Sequence, residues 1–253
     1  MRDNNRFLGI IPARYASTRF PGKPLVDMMG KSMIQRVYEA VEGCFDATVV
    51  ATDDQRIYDA VVAFGGRAVM TSVDHQSGTD RCREAMELVG GDYDVVINVQ
   101  GDEPFVAQQQ ITQLKGCFEC DDAEIATLVI PFATMEQVES PNSPKVLLDP
   151  SGRAIYFSRS VIPYLRGVDR SQWLDHHTYY KHIGLYGYRA EVLRRITTLA
   201  PSLLEQAESL EQLRWLEHGY TINVAVTDIE SLGIDTPADM AAALERLASV
   251  ASD

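Results

Sequence analysis

The stretch IIPARYASTRFPGKPL (10–25) sets three cations, Arg14, Arg19 and Lys23, among Pro12, Pro21, Gly22 and Pro24. The prolines stiffen such a stretch, and Gly22 allows close backbone approach. Arginine offers a planar fork and lysine a point charge, so the three can grip successive phosphates. The chain carries a formal net charge of −13, and cations gathered locally on an acidic protein point to a local anionic ligand. The bland alternative is a solvated basic loop paired with the protein's own carboxylates. The stretch has neither G-x-x-x-x-G-K-[ST] nor G-x-G-x-x-G, which argues against a Walker loop and a dinucleotide site.

Asp102 and Glu103 follow the apolar run DVVINV (94–99). A carboxylate there would lie where a divalent metal bridges phosphates, and Mg²⁺ suits one or two carboxylates completed by phosphate oxygens and water. Asp235 is a second candidate. An acid before a helix is usually only a cap, but Thr236 already fills that position and Pro237 starts the helix. His182, Gly184, Tyr186 and Tyr188 alternate along KHIGLYGYR (181–189); they line a pocket or form a satisfied, half-buried face. Glu208, Glu211 and Gln212 sit beside the apolar stripe Leu210, Leu213 and Leu216 and read most simply as a solvated face. Glu211 and Gln212 could instead present acceptors to sugar hydroxyls, and Arg159 a cation to a carboxylate. Cys117 and Cys120 form a lone C-x-x-C near the end of a helical pattern, which reads as ordinary thiols.

These groups need a frame. FLGII (7–11), ATVVAT (47–52), RAVM (67–70), DVVINV (94–99) and EIATLVI (124–130) read as strands, with helical patterns at 31–43, 54–64, 77–89 and 107–118. Such alternation predicts an α/β fold with a Rossmann-like, doubly wound, mostly parallel sheet. Ligands of these sheets bind beyond the carboxyl ends of the strands. The loops 12–24, 52–54, 75–79 and 100–104 all fall on that edge. Between about 140 and 190 the pattern changes to turns and short strands, as an inserted β-hairpin region would. Helices are expected at about 190–199 and 204–218, a strand at 221–226 and a last helix from Pro237. The whole chain, 1–253, reads as one domain with 140–190 inserted.

With 45% hydrophobic and 23% charged residues, the chain can bury a core and is not of disordered composition. No run of about 18 apolar residues predicts a membrane span, and MRDNNRFLGIIPAR has no secretory h-region. A cytoplasmic protein is expected. The acidic balance disfavours nucleic acid or an anionic membrane as partner.

The pieces IIPARYASTRFPGKPL, VATDD, DHQSGTDR, INVQGDEP, KVLLDPSGRAIYFSR, HIGLYGYR, ESLEQLR and GIDTPADM follow one another in an order that resembles the 3-deoxy-manno-octulosonate (Kdo) cytidylyltransferases. They span nearly the whole chain. The first is shared loosely by many sugar nucleotidyltransferases, whereas DHQSGT, NVQGDEP and HIGLYGYR are more specific. The resemblance implies a sheet of the nucleotide-diphospho-sugar transferase type and the reaction CTP + Kdo → CMP-Kdo + pyrophosphate, serving lipopolysaccharide biosynthesis. It places the triphosphate on Arg14, Arg19 and Lys23, with Arg14 and Lys23 among the catalytic groups, and the nucleobase near Ser77, Gly78 and Thr79. The Mg²⁺ carboxylates map to Asp102 and Asp235, and the sugar acid to Gln100, Arg159, His182, Tyr186, Glu211 and Gln212. It also implies a homodimer joined through the inserted region. Asp80 stands where Glu is usual, Tyr164 where Trp is common, and Ala238 where an acid is usual after Pro237. The first two leave open whether an 8-amino analogue of Kdo is preferred. The rival readings are a cytidylyltransferase for sialic acid, a non-catalytic CTP or sugar-acid sensor, and a scaffold that would not need three cations on one stiff loop.

Overall fold

The structure, a computed structural model, describes residues 5–16, 20–230, 233–234 and 236–250, the side chains of 249 and 250 excepted. Arg19 and Asp235 lie outside the described residues. Along the chain run β1 (Phe7–Ala13), α1 (Met33–Val41), β2 (Ala47–Thr52), α2 (Gln55–Ala63), β3 (Ala68–Met70), α3 (Gly78–Val89), β4 (Val95–Asn98), α4 (Gln108–Gly116) and β5 (Ile125–Pro131). Then come α5 (Met135–Glu139), β6 (Lys145–Leu148), β7 (Ala154–Ser158), α6 (Trp173–His176), β8 (Tyr180–Arg189) and α7 (Ala190–Ile196). The last elements are α8 (Leu203–Glu208), α9 (Gln212–Glu217), β9 (Ile222–Val226) and α10 (Pro237–Val250). The chain divides into two compact units, one of Asn4–Ile111 with Ser231–Asp253, the other built mainly on Thr112–Glu230.

In the first unit β1 lies between β2 and β4, with β3 outside β2, and every pairing is parallel. Leu8, Ile10, Ile11, Val49, Val50 and Val95 are fully buried, as expected of parallel strands covered on both faces. Helix starts are set by side-chain caps: Ser32 accepts from the Gln35 amide, Asp54 from Arg56 and Ser77 from Asp80, each satisfying an otherwise orphaned donor. At α10, Thr236 Oγ1 accepts from the Asp239 amide while Asp239 Oδ2 accepts from the Thr236 amide. Met28, Met33, Ile234, Met240 and Ala243 form one buried cluster, which anchors the lead-in to this helix.

The first strand is longer than its apolar run, taking in Pro12 and Ala13. Pairing to β4 stops at Ile10↔Asn98, whereas pairing to β2 continues to Ala13↔Thr52. Ile10 O accepts from Val99, so Pro12, two residues on, turns its missing N–H to the side where the ladder has ended.

The second unit pairs β5 parallel with β9 and antiparallel with β8; β6 pairs antiparallel with β7 and β8. The hairpin expected within 140–190 is thus β6–β7. Two local expectations change. The single helix at 204–218 is two helices, because Ser209 takes a positive φ of 51° between them. The regular alternation of 181–189 is interrupted, because the register steps from Thr127↔Tyr186 to Leu128↔Ile183, passing over Gly184 and Leu185 as a bulge does. The mixed α/β fold stands as expected.

Candidate active site

A cleft of about 450 Å³ opens at the carboxyl ends of the strands of the first unit. It is bounded by Ala13 at the end of β1 and Arg14 and Lys23 after it, by Gly78 and Arg81 at the start of α3, and by Gln100, Gly101 and Asp102 after β4. Three of the four loops singled out in the sequence therefore line one cavity.

The loop after β1 is built by local chemistry. Gly22 holds φ at +71°, and its amide donates to Tyr15 O at 3.0 Å. The next residues form a single 3-10 turn, Lys23–Leu25, with Pro24 inside it. The Arg56 guanidinium stacks 3.3 Å from the Tyr15 ring centre and is held by both Asp54 oxygens. Arg14 is exposed on the cleft wall.

Lys23 and Asp102, assigned separately to phosphate and metal, meet each other. Lys23 Nζ donates to Asp102 Oδ2 at 2.7 Å and to Ile234 O at 2.8 Å. The lysine side chain is 12% exposed and the aspartate 31%, so the pair is shielded on one side and open to the cleft on the other. The Ile234 amide returns a bond to Asp102 O at 2.9 Å. The segment just before α10, where Asp235 follows, is thereby tied to the loop after β4. Gly101 is required at that loop, since a Cβ there would stand 2.7 Å from Pro12 O.

Among the nucleobase candidates, Ser77 spends its hydroxyl as N-cap, accepting from Asp80. Gly78 sits at the first turn of α3, and Thr79 is buried. Sequence reasoning missed Arg81, one turn further on. Its side chain is 0% exposed, Nη2 donates to Asp53 Oδ2 at 2.8 Å, and Nη1 donates to Thr71 Oγ1 at 2.5 Å. Its Nε meets no partner among the described residues. The available signal was the i, i+3 spacing from Gly78, which places both on one helix face.

Gln100 belongs to this cleft. The other five sugar candidates lie in the second unit. There His182, Tyr186 and Tyr188 form a row despite the bulge, with ring centres 5.2 and 5.9 Å apart. Trp215 meets both tyrosines edge-on. Burial lowers the His182 pKa to about 3, keeping the ring neutral. Burial pushes the Tyr186 phenol well above its ordinary value, and the Glu211 carboxylate adds to the rise. The Tyr186 hydroxyl lies near Thr127 but has no hydrogen-bond partner among the described residues, and the same holds for Nε2 of Gln212, which is 5% exposed. Two buried polar groups without partners are costly, and both sit where the resemblance places sugar contacts.

Arg159, expected to face the sugar carboxylate, holds backbone carbonyls in this structure. Its Nε donates to Glu208 O, Nη1 to Pro141 O and Nη2 to Ser209 O, so its fork is engaged with backbone carbonyls. Glu208 is not solvated as a surface face would be. It accepts from Ser158 Oγ at 2.6 Å and from the Arg159 amide at 2.9 Å. Lys145, fully buried, donates to Ser140 O and Arg159 O, and burial lowers its pKa. Cys117 is pushed up to about 11 by burial, which keeps the C-x-x-C thiol protonated.

A family model described as cytidylyltransferase matches residues 8–224. A 3-deoxy-manno-octulosonate cytidylyltransferase of Parabacteroides distasonis is 60% identical over 248 residues, covering 96% of this chain and 99% of the relative. The chain belongs to the 3-deoxy-manno-octulosonate cytidylyltransferase family. The member from Porphyromonas gingivalis is 56% identical over 97% of this chain and 98% of its own. A solved structure of CMP:2-keto-3-deoxy-manno-octonic acid synthetase complexed with CTP superposes with a TM-score of 0.89 at 41% identity, covering 96% of this chain and 99% of that one. A 4-diphosphocytidyl-2C-methyl-D-erythritol synthase from Anaerococcus prevotii, at 12% identity and a TM-score of 0.63, shares the fold. Among the described residues no helix is long and apolar enough to cross a membrane.

Proposed function

We propose that this chain activates Kdo for lipopolysaccharide biosynthesis: CTP + Kdo → CMP-Kdo + pyrophosphate. The observation that carries the proposal is the cleft of the first unit, which Arg14, Lys23, Arg81 and Asp102 line together on an otherwise acidic chain. A sugar hydroxyl attacks the α-phosphorus, the bond to the pyrophosphate oxygen breaks, and the reaction needs positioning and cations more than a covalent nucleophile. Arg14, Arg19 and Lys23 hold the triphosphate, and Ser77, Gly78 and Thr79 border the base.

Asp102 and Asp235 would hold Mg²⁺. Among the described residues no three acidic, histidine or cysteine side chains cluster as a metal cage, but magnesium bound with substrate phosphates needs only one or two carboxylates. An open Asp102 beside phosphate-binding cations fits that donor set. When bound, the ion stabilises charge on the phosphate oxygens and favours the ionised attacking hydroxyl. Lys23 neutralises Asp102 in the free protein and exchanges that partner for a phosphate oxygen as substrate enters.

In the second unit, His182, Tyr186, Glu211 and Gln212 meet the sugar acid. Arg159 reaches the sugar carboxylate only by exchanging the carbonyls it now holds; otherwise it fixes the 208–209 turn. The protein acts in the cytoplasm as a homodimer through 140–190, where Ile155 and Tyr164 expose 58% and 75% of their surface. Light scattering at micromolar concentration should give twice the mass of one chain; a monomer removes the dimer.

The direct test is pyrophosphate release from CTP with each of Kdo, 8-amino-Kdo and sialic acid, with and without Mg²⁺. Release with Kdo that requires Mg²⁺ supports the reading. Release with another sugar acid alone replaces the substrate, and binding without release leaves a sensor.

A further inference from the structure

The bulge in β8 fixes where one proton sits. Thr127, on β5, places its Oγ1 3.0 Å from Ile183 O, 2.9 Å from Leu185 O and 3.1 Å from His182 Nε2. A carbonyl oxygen only accepts, and a threonine hydroxyl has one proton to give. That proton serves the carbonyls, so the hydroxyl offers His182 a lone pair. Nε2 must then carry the hydrogen of that contact. The ring is neutral, since burial lowers its pKa to about 3, so Nδ1 carries none. The edge of Phe157 at 5.2 Å and the tilted Tyr186 ring at 5.2 Å hold the imidazole plane.

We infer that Thr127 is a positioning residue that locks His182 in its Nε2–H tautomer, leaving Nδ1 as a hydrogen-bond acceptor that reads a hydroxyl of the bound sugar acid. The inference rests on the proposal that His182 meets Kdo. It gives the site a definite polarity. A sugar hydroxyl opposite Nδ1 is accepted, whereas a carbonyl or carboxylate there meets a second acceptor and is refused. The bulge is thus a specificity device, because the carbonyls it turns toward Thr127 are what orient the hydroxyl.

Histidine-selective ¹⁵N labelling of the full chain and long-range ¹H–¹⁵N spectra read the tautomer directly, with His182→Gln assigning the signal. The wild type should show a protonated Nε2 and a bare Nδ1, and Kdo added with unreactive CMP should shift the Nδ1 resonance. Thr127→Val should mix the tautomers and raise KM for Kdo about tenfold, the size of one hydrogen bond, with KM for CTP unchanged. Thr127→Ser should restore both. A proton on Nδ1 in the wild type overturns the inference whatever the kinetics. An Nε2–H tautomer whose Nδ1 ignores Kdo overturns the sugar-pocket reading instead. A Thr127→Val protein with unchanged tautomer and unchanged KM removes the positioning role.

Discussion

His182 should make this protein lose stability in mild acid, and the size of the loss follows from where the ring lies. The imidazole has an ordinary pKa of 6.5, lowered to about 3 in the folded chain by burial. A folded-state value below the unfolded one means that the unfolded chain binds more protons between the two. Stability therefore falls as pH drops from 6.5 toward 3. At pH 5 the unfolded ring is about 97% protonated and the folded ring is not, which costs about 2 kcal/mol relative to pH 8. Asp54, Glu84 and Glu205 also have lowered values, but a carboxylate's contribution is lost only as pH falls below its ordinary value. The window from pH 6.5 to 4.5 is thus dominated by histidine. Urea unfolding of the wild type and His182→Gln at pH 8, 7, 6 and 5 isolates the effect, because every other ionisable group is common to both proteins. The wild type should lose about 2 kcal/mol more than the variant across the series. Two parallel pH profiles would refute the reasoning, since they would mean that the ring can protonate without cost in the folded chain.

Asp102→Asn keeps the shape of the side chain and removes its charge; turnover should fall about a hundredfold or more at saturating Mg²⁺, with circular dichroism unchanged. Lys23→Ala loses a charged contact of roughly 1.5–3 kcal/mol, so the apparent affinity for CTP should drop about tenfold or more while that for Kdo holds; an equal loss for both substrates would count against a phosphate role. Gly101→Ala would place a Cβ 2.7 Å from Pro12 O, and should cost about 1–3 kcal/mol in urea unfolding; unchanged stability would mean that the loop yields freely.

Much of the site was legible because its residues fall in short segments after successive strands and the fold is repetitive. Apolar runs alternating with helical patterns defined a parallel sheet, and the carboxyl-end rule then gathered Arg14, Lys23, Gly78, Gln100 and Asp102 onto one edge without knowledge of any contact. Arg81 offered only its i, i+3 spacing from Gly78 as a signal, and its burial was not legible. Its burial depends on Asp53, 28 residues away, and on Thr71, and nothing in DHQSGTDR reports that pairing. The break at Ser209 was hidden for a related reason. ESLEQLRWLEHG has helical periodicity throughout, but a positive φ at Ser209 and the Glu208 contacts to Ser158 and Arg159 override local propensity.

The sequence by itself determined the class of chemistry and the frame: three cations on a stiff loop, a carboxylate after the fourth strand, and a βαβ order that puts them together. Those are properties of residue type and spacing, which are local. Tertiary structure decided which of these groups hold one another. It paired Lys23 with Asp102, turned the Arg159 fork onto three carbonyls, and set Thr127 against His182 at a bulge that no alternation pattern announces. Each of these depends on atoms brought within about 3 Å across long stretches of chain, where hydrogen-bond geometry, and not residue type, sets the role.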